Sequence, residues 1–427
     1  MPRSSSRILA GAVLGAAATA NAHQPLAQRG LLGLGGAWAA GVLVSELPVQ
    51  TLALQAPAVA LAFRQGAHRT PSGQAGLALT AASWAGLMSL ARSNARSTDV
   101  LDASLTEGLG AFYHEEAVSL DGVDSNATPT PAPGLVRSLR IRRRYSHDEE
   151  VAYAGAEDGP HLDVWRRDDI PPAAARPVLV HVHGGGWMLG DKRGQGHPLL
   201  AHMAELGWVC VSIGYPLSPR ATWPDQIVAV KQAIAWVRAH VRDFGGDPGF
   251  VAITGGSAGG HLAALAALTA GDASLQPGFE PADTSVQAAA LLYGVYDWTN
   301  AAGSYDLLLP WIERKVVKQT IDEAPAVYAA ASPLSRVHAA APPTFVLHGS
   351  NDTLVPVAGA QAFVAALRDR SCAPVAYAEF ARTQHAFDVL SSVRSRACAV
   401  AVGRFLGAAH SRWTTAAPAI EVPRCSR

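Results

Sequence analysis

Near its middle the chain reads Gly255-Gly256-Ser257-Ala258-Gly259-Gly260, directly after Val251-Ala252-Ile253-Thr254 and directly before a helical pattern. The spacing is G-x-S-x-G. Small neighbours, Gly255 and Gly259 among them, let the backbone close a sharp strand-to-helix turn with a serine at its tip. Outside that setting the same letters describe an ordinary glycine-rich helix start. A serine hydroxyl is a poor nucleophile at neutral pH; it needs an imidazole as base, and the imidazole needs an orienting carboxylate. Both types recur at later strand ends. Asp352 lies in His348-Gly349-Ser350-Asn351-Asp352, after the apolar run Thr344–Leu347, and His385 in Thr383-Gln384-His385-Ala386-Phe387, after Val375–Phe380. The chemistry implied is acyl transfer, with Ser257 as nucleophile, His385 as base and Asp352 as acid. Asp297 and Asp388 compete for the acid role. Asp352 is preferred because it precedes a turn into a helix and leaves one strand between acid and base.

A second constellation is His183-Gly184-Gly185-Gly186-Trp187, at the end of the run Val178–Val182. Glycines here let backbone N–H groups point into a site without side-chain obstruction, as donors for the oxyanion of an acyl-transfer intermediate. A tight turn or a phosphate-binding loop is the other reading, but the spacing fits neither the GxGxxG nor the Walker pattern.

These residues need a scaffold. From about residue 138 short β-rich runs alternate with helical patterns: Leu139–Tyr145, His161–Trp165, Val178–His183, Trp208–Tyr215, Phe250–Thr254, Ala288–Val295, Thr344–His348 and Val375–Phe380. Ile227–Val241, with apolar residues at Ile227, Val230, Ile234 and Val237, has a period near 3.6, and His261–Thr269 and Val357–Leu367 are similar. The first runs suit a hairpin. The later strand–helix–strand order predicts an α/β fold with a mostly parallel sheet covered on both faces, its ligand site at the carboxyl ends of the strands.

The first hundred residues differ. The chain has 427 residues, 49% of them hydrophobic and 16% charged, with no net charge. Disorder is thereby excluded. The zero conceals a split: residues 1–96 hold seven arginines, no lysine and a single acid, Glu46, giving +6 against −6 for the remainder. No basic, aromatic-interleaved patch marks the acidic body as a nucleic-acid binder. Cys210, Cys372, Cys398 and Cys425 form no zinc spacing and no disulfide scaffold. Residues 8–28, 30–45, 47–63 and 70–91 are uncharged, and a spanning helix needs about 20 apolar residues. The 70–91 stretch is long enough; 30–45 and 47–63, broken at Glu46-Leu47-Pro48, read as one span or a re-entrant hairpin. Arg3, Arg7 and Ala20-Asn21-Ala22 also suit a signal peptide. Ala/Gly-rich helices packed on a soluble body are the third reading. Membrane association through residues 1–96 is preferred, with a membrane-associated or cell-envelope location and a cytoplasmic one as the alternative. Residues 97–137 read as a linker, most clearly Asp121–Gly134, where Asn126-Ala127-Thr128 fits a glycosylation sequon. Residues 138–410 form the catalytic domain and 411–427 a tail.

HGGGW, GGSAGG, NDTLVP and QHAFD together resemble the hormone-sensitive-lipase-like carboxylesterases of the α/β-hydrolase superfamily, strongly over residues 138–410. The whole chain is similar to mycobacterial-type lipases and carboxylesterases that carry an apolar N-terminal region. The resemblance implies an eight-stranded, mostly parallel sheet flanked by helices, with a small cap. It implies the triad Ser257, His385 and Asp352 and an oxyanion hole from the N–H groups of Gly185, Gly186 and Ala258, with His183 and Gly184 as motif support. No metal or organic cofactor is implied. Two positions depart from the family. Gly256 stands where relatives often have aspartate, and Pro216, in Tyr215-Pro216-Leu217-Ser218-Pro219, stands where they often have arginine. Loss of that guanidinium puts the local loop geometry in doubt.

The expected reaction is ester hydrolysis. Tyr305–Val317, with Trp311, suits either a small cap over an acyl pocket or ordinary core packing. A cap would favour short- to medium-chain esters. An arylformamidase or peptidase on the same triad is the second reading, and a non-catalytic membrane scaffold on the same fold is the third.

Overall fold

The apolar runs of the chain's second half become strands buried on both faces, because helices cover the sheet from either side. The computed structural model describes residues 2–25, 30–116, 144–154 and 159–415. Its strands are β1 (Ser146–Ala152), β2 (His161–Trp165), β3 (Arg176–Val182), β4 (Val209–Ile213), β5 (Gly246–Gly256), β6 (Ala288–Leu292), β7 (Thr344–Gly349) and β8 (Val375–Phe380). They form one eight-stranded sheet in the order β1-β2-β4-β3-β5-β6-β7-β8. A hairpin is present, though its first strand is not the expected run: β1 pairs antiparallel with β2, which pairs antiparallel with β4. Every later pairing is parallel. This is the α/β-hydrolase fold.

The longer helices are α1 (Pro2–His23), α2 (Gly30–Glu46), α3 (Pro48–Arg64), α4 (Pro71–Ala95), α5 (Ser97–Leu109), α6 (His197–Glu205), α7 (Asp225–His240), α8 (Ala258–Leu268), α9 (Val357–Arg370) and α10 (Val393–Thr415). Side chains alternate across the sheet. Val178, Val180 and Val182 of β3 belong to the core on the side of α7, α8 and α9, whereas Leu179 joins the core beneath α5, α6 and α10.

Three departures from the sequence reading have physical reasons. The first strand is Ser146–Ala152 and not Leu139–Tyr145, of which 139–143 lie outside the described residues. β1 is a charged edge strand, whose Glu149 and Glu150 pair with Arg193; such edges lack an apolar alternation by which to find them. Residues 97–109 are helix α5 and not linker: Leu101, Leu105 and Leu109 recur every fourth residue and are buried. Asp121–Gly134, its sequon and residues beyond 415 lie outside the described residues; 411–415 end α10.

Helices α1 to α4 form a layer around Ala22, Val44, Leu87 and Leu90. The 70–91 stretch lies in α4, whose buried side is small and polar (Gly73, Gly76, Thr80, Ser83) before it becomes apolar. No single described helix is long and apolar enough to cross a membrane. The segments 35–46 and 48–64 pass that test together, bent by 89° at Leu47.

Candidate active site

Ser257 sits where β5 turns into α8, with φ 57° and ψ −122°, a strained conformation for a residue with a Cβ. Its N–H donates to Leu292 O at 3.0 Å, and its carbonyl accepts from His261 N at 2.9 Å. The turn closes because α8 lies against the end of β3: a Cβ on Gly259 would stand 2.1 Å from Val182 O and 2.5 Å from His183 O.

The loops after β7 and β8 bring the other two candidates to this turn. Ser257 Oγ is 2.8 Å from His385 Nε2, and His385 Nδ1 is 2.6 Å from Asp352 Oδ2. A carboxylate only accepts, so Nδ1–H donates to Asp352 and leaves the Nε2 lone pair for the serine proton. Asp352 Oδ1 accepts from the N–H groups of Leu354 (3.0 Å) and Val355 (2.7 Å). Burial works to raise the Asp352 pKa, but the charge of His385 beside it, with hydrogen bonds from His348 and His385, holds it down at about 2. His348 Nε2 lies 3.3 Å from Asp352 Oδ2 and 2.8 Å from Val355 O.

The competing acids are engaged elsewhere. Asp297 accepts from the N–H groups of Thr299 (2.9 Å) and Ala301 (3.1 Å) and so closes its own loop. Asp388 accepts from the Tyr293 hydroxyl, and the Tyr293 ring lies edge-on to His385 with centroids 4.6 Å apart.

The HGGGW segment faces the same turn. Gly185 and Gly186 have φ of 125° and 60°, the region that favours glycine. A Cβ on Gly185 would also stand 1.9 Å from Leu189 O. Gly184 N–H donates to Gln195 Oε1 at 2.9 Å, whereas among the described residues the N–H groups of Gly185, Gly186 and Ala258 take no protein acceptor. Free donors at a helix start and a glycine turn are what a developing oxyanion requires. Trp187 ties the segment to α8, its indole N–H donating to His261 Nδ1 at 3.2 Å. His183 is buried and stacks on Tyr215 at 4.3 Å, and burial pushes its imidazole pKa down. It shapes the turn with Nδ1 on Gly184 O at 2.8 Å.

Gln195 and Tyr293 escaped the sequence reading. Neither lies in a recognisable spacing. His348 did carry a signal, four residues before Asp352.

The family model BD-FAE matches residues 167–367. Over 416 residues the chain is 46% identical to the probable carboxylic ester hydrolase LipM of Mycobacterium tuberculosis, with 96% of each chain covered. It belongs to the hormone-sensitive-lipase-like carboxylesterases. The carboxylesterase is also 48% identical to Esterase LipQ of Mycobacterium tuberculosis over 74% of its own length and 76% of LipQ. Hormone-sensitive lipase of Homo sapiens is 32% identical over 33% of the carboxylesterase and 13% of its own length.

Both departures from the family have a local explanation in this carboxylesterase. A side chain at Gly256 would meet Tyr293 Oη at 2.8 Å, so the Tyr293–Asp388 pair fills that space. The loop at Pro216 is held without a guanidinium: Tyr215 Oη donates to His183 O (3.0 Å), Ser218 N to Trp187 O (2.9 Å), and Gln226 Nε2 to Ser218 Oγ (3.0 Å). The segment Tyr305–Val317 packs into the core and also reaches the glycine turn. Ile312, Val316 and Val317 are buried in the main core, while the half-buried Trp311 faces Gly186, its Nε1 3.6 Å from where a Cβ would be.

Proposed function

We propose that the carboxylesterase hydrolyses esters in two steps through Ser257, His385 and Asp352. His385 Nε2 takes the Ser257 proton as Oγ attacks the ester carbonyl carbon. The resulting oxyanion accepts from the N–H groups of Gly185, Gly186 and Ala258. Collapse breaks the carbon–alkoxy bond, and His385 returns its proton to the leaving alcohol. Water, deprotonated by His385, then attacks the acyl-serine; the carbon–Oγ bond breaks, the acid leaves, and His385 returns the proton to Ser257 Oγ. The observation that carries this reading is the unbroken relay at 2.8 Å and 2.6 Å from Ser257 through His385 to Asp352. Ser257→Ala is expected to lower kcat by about 10⁴–10⁶ and to abolish labelling by a fluorophosphonate probe. Labelling that survives the substitution would overturn the assignment.

The preferred substrates are esters of short- to medium-chain acids. Trp311 supports this by standing close over Gly186, which narrows the space beside the oxyanion donors. In a p-nitrophenyl series from acetate to palmitate, kcat/KM should peak at or below the octanoate. A peak at palmitate refutes the restriction.

We infer also that helices α1 to α4 rest on a membrane surface. Leu14, Val49, Leu54, Leu61 and Phe63 are exposed on this layer, and its charges are arginines apart from buried Glu46. Exposed apolar side chains beside cationic ones suit an anionic bilayer. The full-length protein should float with phosphatidylglycerol-containing vesicles; recovery wholly in the soluble fraction refutes the location.

A further inference from the structure

The loops that carry the acid and the base are fastened to helices at the other end of the chain. Trp38, on α2, donates its indole N–H to the backbone carbonyl of His385, Nε1 to O 2.9 Å, across 347 residues of sequence. One turn further along α2, Gly41 lies on the neighbouring residue: a Cβ there would come within 3.0 Å of Gln384 Cγ and 3.2 Å of Asn21 Nδ2. Gln384 Oε1 in turn accepts from Thr353 N at 3.2 Å, which joins the base loop to the acid loop. The acid loop reaches α1. Asn351, adjacent to Asp352, donates Nδ2–H to Ala22 O (3.1 Å) and His23 O (3.0 Å). These are carbonyls of the last turn of α1, which have no donor within the helix.

We propose that Trp38 is a positioning residue for His385, and that α1 and α2 hold the base and acid loops in register with Ser257. The inference rests on the triad reading above. His385 has to keep two bonds at once, one to Ser257 and one to Asp352, and both depend on where its backbone lies. That backbone is strained nearby, with Arg382 and Ala386 at φ of 57° and 59°, so it relaxes unless surrounding structure holds it. The Trp38 N–H acts on the peptide carbonyl of His385 itself. A misplacement of about 1 Å at a reacting group costs on the order of 10²-fold in rate.

The test uses the full chain and four variants. Trp38→Phe keeps a ring and removes the donor. Trp84→Phe removes the same kind of donor within the N-terminal layer, where Trp84 Nε1 bonds to Gln55 Oε1 at 2.9 Å. Asn351→Ser breaks the acid-loop attachment, and Ser257→Ala reports on the triad separately. Trp38→Phe should lower kcat on a short-chain p-nitrophenyl ester by about tenfold, slow fluorophosphonate labelling in parallel and leave KM within about twofold. Trp84→Phe should retain the parent kcat. A parent-like kcat in Trp38→Phe overturns the proposal, as does an equal loss in Trp84→Phe, which would report general loosening of the layer. Should Trp38→Phe fail to fold, Asn351→Ser decides, and an undiminished kcat there overturns the coupling. Parent-like activity in Ser257→Ala instead counts against the triad.

Discussion

Asp352 is buried and Asp388 half-buried beside His385, and their environments drive their carboxyl groups in opposite directions. Asp352 is surrounded by His385, His348 and two backbone N–H donors, and its pKa is held at about 2, below the roughly 3.9 of an unfolded aspartate. Its ionised form therefore favours the folded chain. That stability is complete above about pH 4 and is lost as pH falls toward 2. Asp352→Asn should lower kcat by about 10⁴, because an amide no longer fixes the Nδ1–H tautomer. Its thermal midpoint should fall below the parent's near pH 6, with the gap narrowing as pH drops toward 3; a constant gap would deny the linkage. Asp388 has the opposite sign. Burial raises its pKa against the hydrogen bond from Tyr293, so ionising it disfavours the folded chain and stability declines as pH rises above about 4. Asp388→Asn keeps an acceptor for the Tyr293 hydroxyl and removes the charge. Its thermal midpoint at pH 8 should equal or exceed the parent's, and a midpoint several degrees lower would contradict this. Ser257, Asp352 and His385, which the structure brings together, each stand in a short local pattern at a strand end. Asp388 was legible only as a competing acid; its pairing with Tyr293 was not, because it fills a space left by Gly256 that appears only when β5, β6 and the base loop are brought together.

At the level of elements, the contact between α8 and β3 determines whether nucleophile and oxyanion donors face one another. Gly259 allows it, since its missing Cβ would collide with Val182 O and His183 O. Gly259→Ala has no flexible side chain to displace and must push α8 from the sheet, carrying Ser257 away from Gly185 and Gly186. A cost of about 1–3 kcal/mol or more is expected, read from the shift in urea midpoint, together with a fall in kcat. An unchanged midpoint would mean the two elements are less tightly packed than described. The elements themselves were legible where burial was two-sided: β3, β4, β6 and β7 announce themselves as apolar runs. β1 did not, because a charged edge strand is stabilised by ion pairs to Arg193 and not by an alternating core face. Nor did α5, whose Leu101, Leu105 and Leu109 stripe is diluted by a polar opposite face.

For the whole molecule, the charge split at residue 96 looks from the sequence like a boundary between two independent parts. The one acid of the basic part runs against that view. Glu46, at the end of α2, is buried and paired with the guanidinium of Arg394 at the start of α10, and also accepts from Ser392 Oγ at 2.8 Å. Arg394 further bonds Asn94 Oδ1 (2.5 Å) on α4 and Ser97 Oγ (3.2 Å) on α5. This cluster, Trp38 on His385 O, Asn351 on α1 and Arg382 on Ser89 of α4 are among the attachments between the N-terminal layer and the body. Pairwise attachments across such distances leave no trace in composition or periodicity, so the layer's apolar, alanine-rich stretches were legible but its docking was not. A buried ion pair loses far more when one partner is removed than when both become apolar, because a lone charge remains out of water. Glu46→Ala should therefore cost about 3–5 kcal/mol in global unfolding. Glu46→Leu combined with Arg394→Met should recover most of that loss, since it leaves no unpaired charge. If the layer were a separate anchor, unfolding would occur in two transitions, and Glu46→Ala would move only the one belonging to the helices. A single transition that shifts as a whole, restored in the double variant, is the outcome expected of one cooperative unit.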